Sequence, residues 1–264
     1  MTNRRRLDTE LVRRGLVPSR TAAQAAIAEH LVTVGGSIAG KPSHLVAPGD
    51  PVELLGPPAR FVGRGGEKLD AALERFGLDV HDVRALDAGA STGGFTDCLL
   101  QRGAAQVVAV DVGHGQLHPA VRDDPRVDVR ERCNVRHLTQ EAIGGPVDLV
   151  VADLSFISLT AVLPALLAVA APGAPLVLLV KPQFEAGRAE VSRGHGVVRD
   201  PEVRRAVRSR IDDALRAGGA TIMGWMESPL RGADGNVELF VHALAPAAPV
   251  GPVEGDVVQG EAIP

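Results

Sequence analysis

The sequence has few of the residues on which several classes of protein depend. It contains no tyrosine, and aromatic residues make up only 3% of the chain, which disfavours a surface that stacks many successive bases. No window reaches about 18 uninterrupted apolar residues, so the sequence predicts no membrane-spanning helix. The arginine-rich start is not followed by the apolar core of an export signal. We therefore expect a cytoplasmic protein that does not insert into a membrane.

Cysteine and histidine show no pattern typical of a metal site. Cys98 and Cys133 are the only two cysteines, and the eight histidines are scattered without ligand spacing. None of the histidines stands beside a nucleophile, so a Ser/His/Asp triad is not predicted. We predict no metal, and we expect the two cysteines to be inert thiols in a reducing compartment.

The charge is unevenly distributed along the chain. The formal net charge is −4, from 28 basic and 32 acidic residues. Residues 1–75 hold eleven basic and eight acidic residues, and the first 24 hold six arginines and two acids. A local basic excess in an acidic chain indicates an anionic partner for the N-terminal region.

The order of predicted elements divides the chain into unequal parts. Residues 1–55 are predicted to form a small α+β unit, with helices at 7–14 and 20–29, strands at 31–34 and 52–55, and a hairpin turn at Gly35-Gly36. A linker at 56–62 follows, and residues 245–264, rich in proline, glycine and acids, are predicted to be a disordered tail.

Strands and helices alternate between residues 63 and 244. The predicted strands are 84–88, 106–110, 127–130, 147–152, 175–180, 219–225 and 236–243, and the predicted helices are 66–76, 93–102, 157–170 and 201–217. Such alternation predicts an α/β fold of the Rossmann type, a doubly wound and mostly parallel sheet.

The stretch LDAGASTGGF at 86–95 is the first candidate binding site. A strand ends in Asp87, and a glycine-rich turn opens a helix, so a ligand can approach the backbone closely. The spacing Asp-x-Gly-x-x-x-Gly resembles the S-adenosylmethionine turn of Rossmann-type methyltransferases, in which an acid can hold the ligand's ammonium. Asp111 ends the next strand, where an acid can accept both ribose hydroxyls of a nucleoside. A sharp turn without a ligand remains the alternative.

Four charged residues form the second candidate site. Asp153 and Lys181 end consecutive predicted strands, Lys68 lies on the helix before the sheet, and Glu238 lies early in the last predicted strand. Each alone could be a structural, salt-bridged residue. Together they make a neutral cluster, which can be partly buried without a large unpaired-charge cost.

Five motifs link residues 4–243 to a known family. They are GRGGEKL (63–69), LDAGASTGGFT (86–96), VDLVVADLSFISL (147–159), LVKPQFE (179–185) and SPLRGADGNVELF (228–240). On these motifs the chain resembles the TlyA family of ribosomal RNA 2′-O-methyltransferases, whose catalytic domain is FtsJ-like. The N-terminal unit resembles the αL RNA-binding motif of a small-subunit ribosomal protein and of pseudouridine synthases. The family has also borne a haemolysin label.

The resemblance implies a catalytic tetrad and a cofactor. The tetrad falls on Lys68, Asp153, Lys181 and Glu238, with Lys181 as general base. Lys68 would help to place the ribose, and the two acids would orient the lysines. The cofactor is S-adenosylmethionine, and its candidate contacts are Asp87, Gly89, Ser91, Gly93, Phe95, Asp111 and Asn134.

The resemblance also implies an RNA partner. Phosphate contacts are expected from Arg4, Arg6, Arg14, Arg20 and Lys41. The arginine-rich start resembles the version of the domain associated with modifying cytidine in both ribosomal subunits. The alternatives are a non-catalytic RNA-binding or assembly factor, a membrane-active haemolysin and a small-molecule methyltransferase. The oligomeric state is left open.

Overall fold

A computed structural model describes residues 4–17, 19–55, 60–186, 196–232 and 235–247. Part of the predicted linker (56–59) and most of the predicted tail (248–264) therefore lie outside the described residues. Within the described ranges, no helix has both the length and the apolar character needed to cross a membrane.

The N-terminal unit is built on two short helices. Helix α1 (Leu7–Arg13) and helix α2 (Arg20–Ala28) pack around a small apolar core. The hydroxyl of Ser19 accepts a hydrogen bond from the Ala22 N–H at 3.2 Å and caps the start of α2.

Two small sheets complete this unit. Strands β1 (Arg5–Arg6) and β4 (Leu45–Val46) pair antiparallel, and β2 (Val32–Val34) lies between β3 (Ser37–Ile38) and β5 (Val52–Leu54). Gly35 and Gly36 join β2 to β3 with φ of 59° and 79°, the left-handed values that a two-residue hairpin turn requires. The predicted hairpin is confirmed, whereas the two-residue strands β1 and β4 were not predicted.

A seven-stranded sheet forms the larger unit, with strand order β11-β12-β10-β9-β6-β7-β8. Its strands are β6 (Arg84–Ala88), β7 (Gln106–Val110), β8 (Val127–Arg130), β9 (Leu149–Ala152), β10 (Pro175–Val180), β11 (Thr221–Glu227) and β12 (Leu239–Leu244). Only β12 runs antiparallel to its neighbours β10 and β11. The doubly wound, mostly parallel sheet is therefore confirmed.

Helices cover both faces of this sheet. They are α3 (Arg64–Phe76), α4 (Gly94–Gln101), α5 (Pro119–Arg122), α6 (Gln140–Ile143), α7 (Leu163–Val169), α8 (Pro182–Glu185) and α9 (Pro201–Ala217). Alternate residues of β6 point into two separate cores. Leu86 packs with α7 and α9, and Ala85 packs with α3 and α4.

Several predicted bounds were wrong by a few residues. The last strand begins at Leu239, so Glu238 precedes it. The predicted helix 157–170 is a 3₁₀ turn at Leu159–Ala161 followed by α7, whose first turn contains Pro164. Proline favours a helix start because its fixed φ suits the first turn and its missing N–H is not needed there.

Candidate functional site

Three of the four predicted tetrad residues lie at one edge of the sheet. Asp153 follows β9, Lys181 follows β10, and Glu238 precedes β12. Because β12 is antiparallel and Leu239 pairs with Val180, its amino end meets the carboxyl end of β10. Parallel strands in open α/β sheets present ligands at their carboxyl ends. The topology therefore gathers these charges at the ligand-binding edge.

The tetrad forms two ion pairs of different depth. Lys68 Nζ, from α3, lies 2.6 Å from Glu238 Oε2, and these side chains are 9% and 3% exposed. Lys181 Nζ lies 2.5 Å from Asp153 Oδ1, and these side chains are 12% and 22% exposed. Each ammonium therefore has its own carboxylate, and the Lys181–Asp153 pair is the one nearer to solvent.

Ser155 also contacts Lys181. The Lys181 ammonium donates a hydrogen bond to Ser155 Oγ at 2.9 Å. Asp153 Oδ1 has no hydrogen-bond partner among the described residues, so its contact with Lys181 is ionic but lacks hydrogen-bond geometry. The ammonium is thus held by one charge and one directed hydrogen bond.

The glycine-rich turn packs against the tetrad. Gly89 has a φ of 90°, and a Cβ at this position would lie 2.5 Å from the Asp153 carbonyl oxygen. Gly93 has a φ of 94°, and its Cβ would lie 3.0 Å from Val121. Both conformations favour glycine, and neither site has room for a side chain. The turn and the loop after β9 therefore touch where β6 and β9 lie side by side and the strand order reverses.

Asp111 organises the far side of this turn. Its carboxylate accepts hydrogen bonds from the N–H groups of Ser91, at 2.9 Å, and Gly113, at 2.6 Å. The Cys133 N–H donates to the Asp111 carbonyl at 2.9 Å, which brings the loop of Asn134 alongside. Asn134 itself is exposed, and its Oδ1 accepts from the Arg136 N–H at 3.0 Å. The structure thus brings Ser91, Asp111 and the Asn134 loop together.

Two predicted cofactor contacts lie beneath the glycine-rich turn instead of facing the ligand-binding crevice above it. Asp87 is fully buried, and Thr96 Oγ1 donates to its Oδ2 at 2.6 Å. Burial raises the pKa of Asp87 to about 7. Phe95 is buried and stacks with Phe240 at a centroid distance of 6.2 Å. The structure therefore does not support direct ligand contact by either residue, because the strand alternation turns Asp87 towards α4 and the helix turns Phe95 into the core.

Comparison with known proteins identifies the family. Residues 61–244 match the FtsJ-like methyltransferase family, and residues 5–52 match the S4 domain. A 16S/23S rRNA (cytidine-2′-O)-methyltransferase TlyA of Mycobacterium tuberculosis is 53% identical over 91% of this chain and 90% of its own length. The chain belongs to the TlyA family of FtsJ-like methyltransferases. The resemblance drawn from the sequence motifs is confirmed.

Two further relatives bear the haemolysin name. Hemolysin A of Brachyspira hyodysenteriae is 38% identical over 90% of this methyltransferase and 99% of its own length. A solved structure from Streptococcus thermophilus, also described as a hemolysin, is 38% identical with a TM-score of 0.75, over 94% of this chain and 91% of that one. The whole architecture is therefore shared, including the S4 domain.

Within the S4 domain of this methyltransferase, two predicted phosphate contacts share one buried acid. Asp8 is fully buried, and it accepts from Arg6 Nε at 3.0 Å and from Arg20 Nη2 at 2.9 Å. Hydrogen bonding from Arg6 holds the pKa of Asp8 well below its usual range. The side chains of Arg6 and Arg20 remain about half exposed at the surface. Arg4 and Lys41 are also exposed.

Arg14 differs from the other predicted phosphate contacts. Its Nε donates to Glu10 Oε1 at 2.8 Å, and its other nitrogens donate to the carbonyls of Ala47, at 3.2 Å, and Asp50, at 2.8 Å. These hydrogen bonds tie α1 to the turn before β5. The geometry is that of a structural clamp, and it does not favour the predicted phosphate contact at Arg14.

An exposed aromatic residue beside the tetrad was not predicted from the sequence. Phe156, next to Ser155, is 91% exposed and has a φ of 64°, which is strained for a side chain of this size. Its ring lies 5.2 Å from the ring of Phe184 on α8. Phe156 stands inside the motif quoted from 147–159, but its exposure depends on a loop conformation that no periodicity reveals.

Proposed function

We propose that this protein transfers a methyl group from S-adenosylmethionine to the ribose 2′-oxygen of a cytidine in the RNA of both ribosomal subunits. The observation that carries this proposal is the partly exposed Lys181–Asp153 pair at the ligand-binding edge of a methyltransferase sheet. The substrate is inferred from the Mycobacterium tuberculosis relative, whose name specifies cytidine in 16S and 23S rRNA.

The residues around the turn fit S-adenosylmethionine. Gly89 and Gly93 leave the backbone bare where a side chain would block the crevice. Asp111 is half-buried at the end of β7, where a carboxylate can accept ribose hydroxyls. We assign Gly89, Ser91, Gly93, Asp111 and Asn134 to this cofactor, and we assign Asp87 and Phe95 to the support of the turn from below.

Lys181 serves as the base in this proposal. S-adenosylmethionine supplies an electrophilic methyl group on a positively charged sulfur and leaves as the neutral thioether. Lys181, in its neutral form, accepts the 2′-hydroxyl proton at Nζ as the oxygen bonds to the methyl carbon and the carbon–sulfur electron pair passes to sulfur. Asp153, 2.5 Å from Nζ, stabilises the ammonium that results. No metal is required in this scheme.

The Lys68–Glu238 ion pair and the exposed Phe156 place the substrate. Lys68 and Glu238 are buried beside Lys181, so they hold its surroundings neutral and fix the wall against which the ribose lies. Phe156 offers an exposed face to an unstacked base beside the same loop. An enzyme that reaches a 2′-oxygen in folded RNA must extrude the nucleotide, and an exposed ring compensates part of the lost stacking.

The S4 domain provides the RNA-binding surface. Arg6 and Arg20 are held side by side by Asp8, so their exposed edges are pre-arranged for phosphates. Arg4 and Lys41 add positive charge to the same domain. Contacts of this kind position the enzyme on ribosomal RNA without reading sequence.

Methyl transfer to purified, unmodified ribosomal subunits tests the proposal. Wild type should transfer labelled methyl from S-adenosylmethionine to both subunits, and the labelled nucleotide should resist alkaline hydrolysis. Lys181→Ala should lose at least about 10²-fold in rate, the usual contribution of a general base, while binding S-adenosylmethionine with nearly unchanged affinity. Label on a base instead of a ribose, or equal loss of transfer and cofactor binding in Lys181→Ala, would contradict the proposal.

A further inference from the structure

A pocket of about 390 Å³ is lined in part by Val237, the residue that precedes Glu238 of the tetrad. Its described walls come from residues 197–204, around the start of α9, and from residues 231 and 235–237, before β12. The lining residues are Val197, Val198, Arg199, Arg204, Arg231, Gly235 and Val237. Arg204 and Arg231 bring two positive charges to the part of the lining that the structure describes, and no acidic residue belongs to that part, so the pocket favours an anion.

Buried Asn236 fixes the two walls against each other. Its side chain is almost fully buried; Oδ1 accepts from the Val198 N–H and Nδ2 donates to the Gly196 carbonyl, both at 2.9 Å. Its own carbonyl accepts from the Gly232 N–H at 2.9 Å. A buried amide that uses both of its ends to join two loops produces a pre-formed pocket instead of a collapsible surface.

The same loop touches the tetrad. A Cβ on Gly232 would lie 2.6 Å from Glu238 Oε1, so this glycine packs directly on the carboxylate. Arg231 immediately precedes that glycine, and Val237, which lines the pocket, immediately precedes Glu238. The loop that lines the pocket is therefore the loop that packs on Glu238 of the tetrad.

The arginines are suited to a phosphodiester. Arg231 Nη1 donates to the Gly235 carbonyl at 3.3 Å, and across the described ranges neither Arg204 nor Arg231 is paired with a carboxylate. Arg204 lies in the first turn of α9, where the helix dipole adds positive potential. A guanidinium fork matches the geometry of two phosphate oxygens, and an anion bound here would meet at least two such forks.

We propose that this pocket binds a phosphodiester of the RNA strand adjacent to the methylated nucleotide. The inference rests on the proposed function, since it assumes that the RNA strand crosses the tetrad. A backbone phosphate held here would fix the ribose against Lys68 and Glu238 while the base is extruded. The S4 domain would then give general affinity, and this pocket would set the register of the strand.

The test compares two double variants that remove the same charge. Arg204→Ala/Arg231→Ala changes the pocket, and Arg205→Ala/Arg216→Ala removes two exposed arginines of α9 that pair with Glu202 and Asp213. Binding of unmodified ribosomal RNA is measured across a salt series in the presence of S-adenosylhomocysteine. The pocket variant should lose about 0.7–0.9 units of slope in log affinity against log salt, the contribution of one phosphate contact.

Steady-state kinetics distinguish an effect on RNA binding, which changes KM, from an effect on methyl transfer, which changes kcat. The pocket variant should raise KM for RNA about 10-fold or more at about 0.1 M salt, keep kcat within about 3-fold, and bind S-adenosylmethionine as wild type does, because phosphate contacts add binding without altering the base. If the two double variants give the same slope and KM while wild type methylates RNA, the pocket proposal fails and the proposed function stands. If wild type binds RNA with the predicted slope difference but transfers no methyl group, the function fails and the pocket stands. Absence of RNA binding by wild type would overturn both.

Discussion

Lys181 and Asp153 join the carboxyl ends of two neighbouring parallel strands through an ion pair of 2.5 Å. The second pair, Lys68 with Glu238, is more deeply buried and joins a helix to the antiparallel strand β12. A base must exchange a proton with a substrate, so it needs access as well as a partner. The more exposed pair therefore suits the chemistry, and the deeper pair suits the support of the site.

Replacing Asp153 by asparagine tests whether methyl transfer depends on the charge of this side chain or only on its size. Asp153→Asn keeps the side-chain size but removes the carboxylate that stabilises the Lys181 ammonium after proton transfer. We expect kcat for methyl transfer to ribosomal RNA to fall by about 10²-fold, the order of magnitude of an acid–base contribution. Single-turnover transfer with saturating RNA measures this loss, and titration of S-adenosylmethionine verifies that the crevice is intact.

Ser155→Ala tests the second contact of the Lys181 ammonium. It removes one hydrogen bond to Lys181, at 2.9 Å, but leaves the charge of Asp153 in place. A hydrogen bond to a charged group contributes about 1.5–3 kcal/mol, so the expected loss in kcat is about 10-fold to 10²-fold. An Asp153→Asn variant with the rate of wild type would show that the ion pair has no catalytic role.

Gly89→Ala should damage the site through the backbone. The alanine Cβ would lie 2.5 Å from the Asp153 carbonyl oxygen, and the φ of 90° is itself unfavourable for alanine. The loop after β9 must therefore shift, which moves Asp153 away from Lys181. We expect affinity for S-adenosylmethionine to fall by about 10-fold or more, because the turn also forms the cofactor cradle. Calorimetric titration measures this affinity.

Gly77→Ala controls for conformational strain alone. Gly77 also has a positive φ, 66°, but an added Cβ would meet nothing within 4 Å. The left-handed conformation should cost about 1–2 kcal/mol in the free energy of unfolding, with cofactor affinity unchanged. Equal loss of affinity in both variants would attribute the effect of Gly89→Ala to global destabilisation and would contradict the steric argument.

Four parallel strands of the large sheet were the most predictable part of the fold. The bounds of β6, β7, β8 and β10 equal those predicted, because each is a short run with turn residues at its ends. Helix α9 was likewise predicted at 201–217, since Pro201 and Gly218 frame its amphipathic pattern. The paired strands β1 and β4 were missed because two residues give no periodicity and their pairing depends on contacts 39–41 positions apart.

The sequence was sufficient to predict which residues form the candidate site, but it did not reveal which of them contact each other. Acids and a lysine at strand ends indicated one edge of the sheet, and Asp153 and Lys181 do meet there. Spacing could not tell that Lys68 reaches Glu238, because that contact joins residues 170 positions apart and depends on where β12 inserts. The hydrogen bonds of Arg14 were hidden for a related reason, since its carbonyl partners lie on a turn more than 30 residues away.

Asp87 should make stability depend on pH with the opposite sign to an ordinary salt-bridged acid. Burial raises its folded-state pKa to about 7 from a reference of 3.8. Between these values the folded state holds a proton that the unfolded state has lost, so the free energy of unfolding must fall as pH rises. The favourable contribution is complete below pH of about 4 and is lost above pH of about 7. The slope in this window is on the order of 1 kcal/mol per pH unit.

Asp87→Asn cannot ionise, so it should flatten this slope. Urea unfolding without cofactor at pH 5, 6, 7 and 8 measures it, and fluorescence of Trp225 on β11, the single tryptophan, reports on the sheet. Asp213→Asn, on the exposed side of α9, is the control, since it removes a carboxylate without burial and should keep the wild-type slope. Subtracting the free energy of unfolding of each variant from that of wild type at each pH cancels the contributions of the other titrating groups. Parallel curves for wild type and Asp87→Asn would mean that Asp87 is ionised within the folded protein, with Thr96 and its neighbours offsetting the cost of burial.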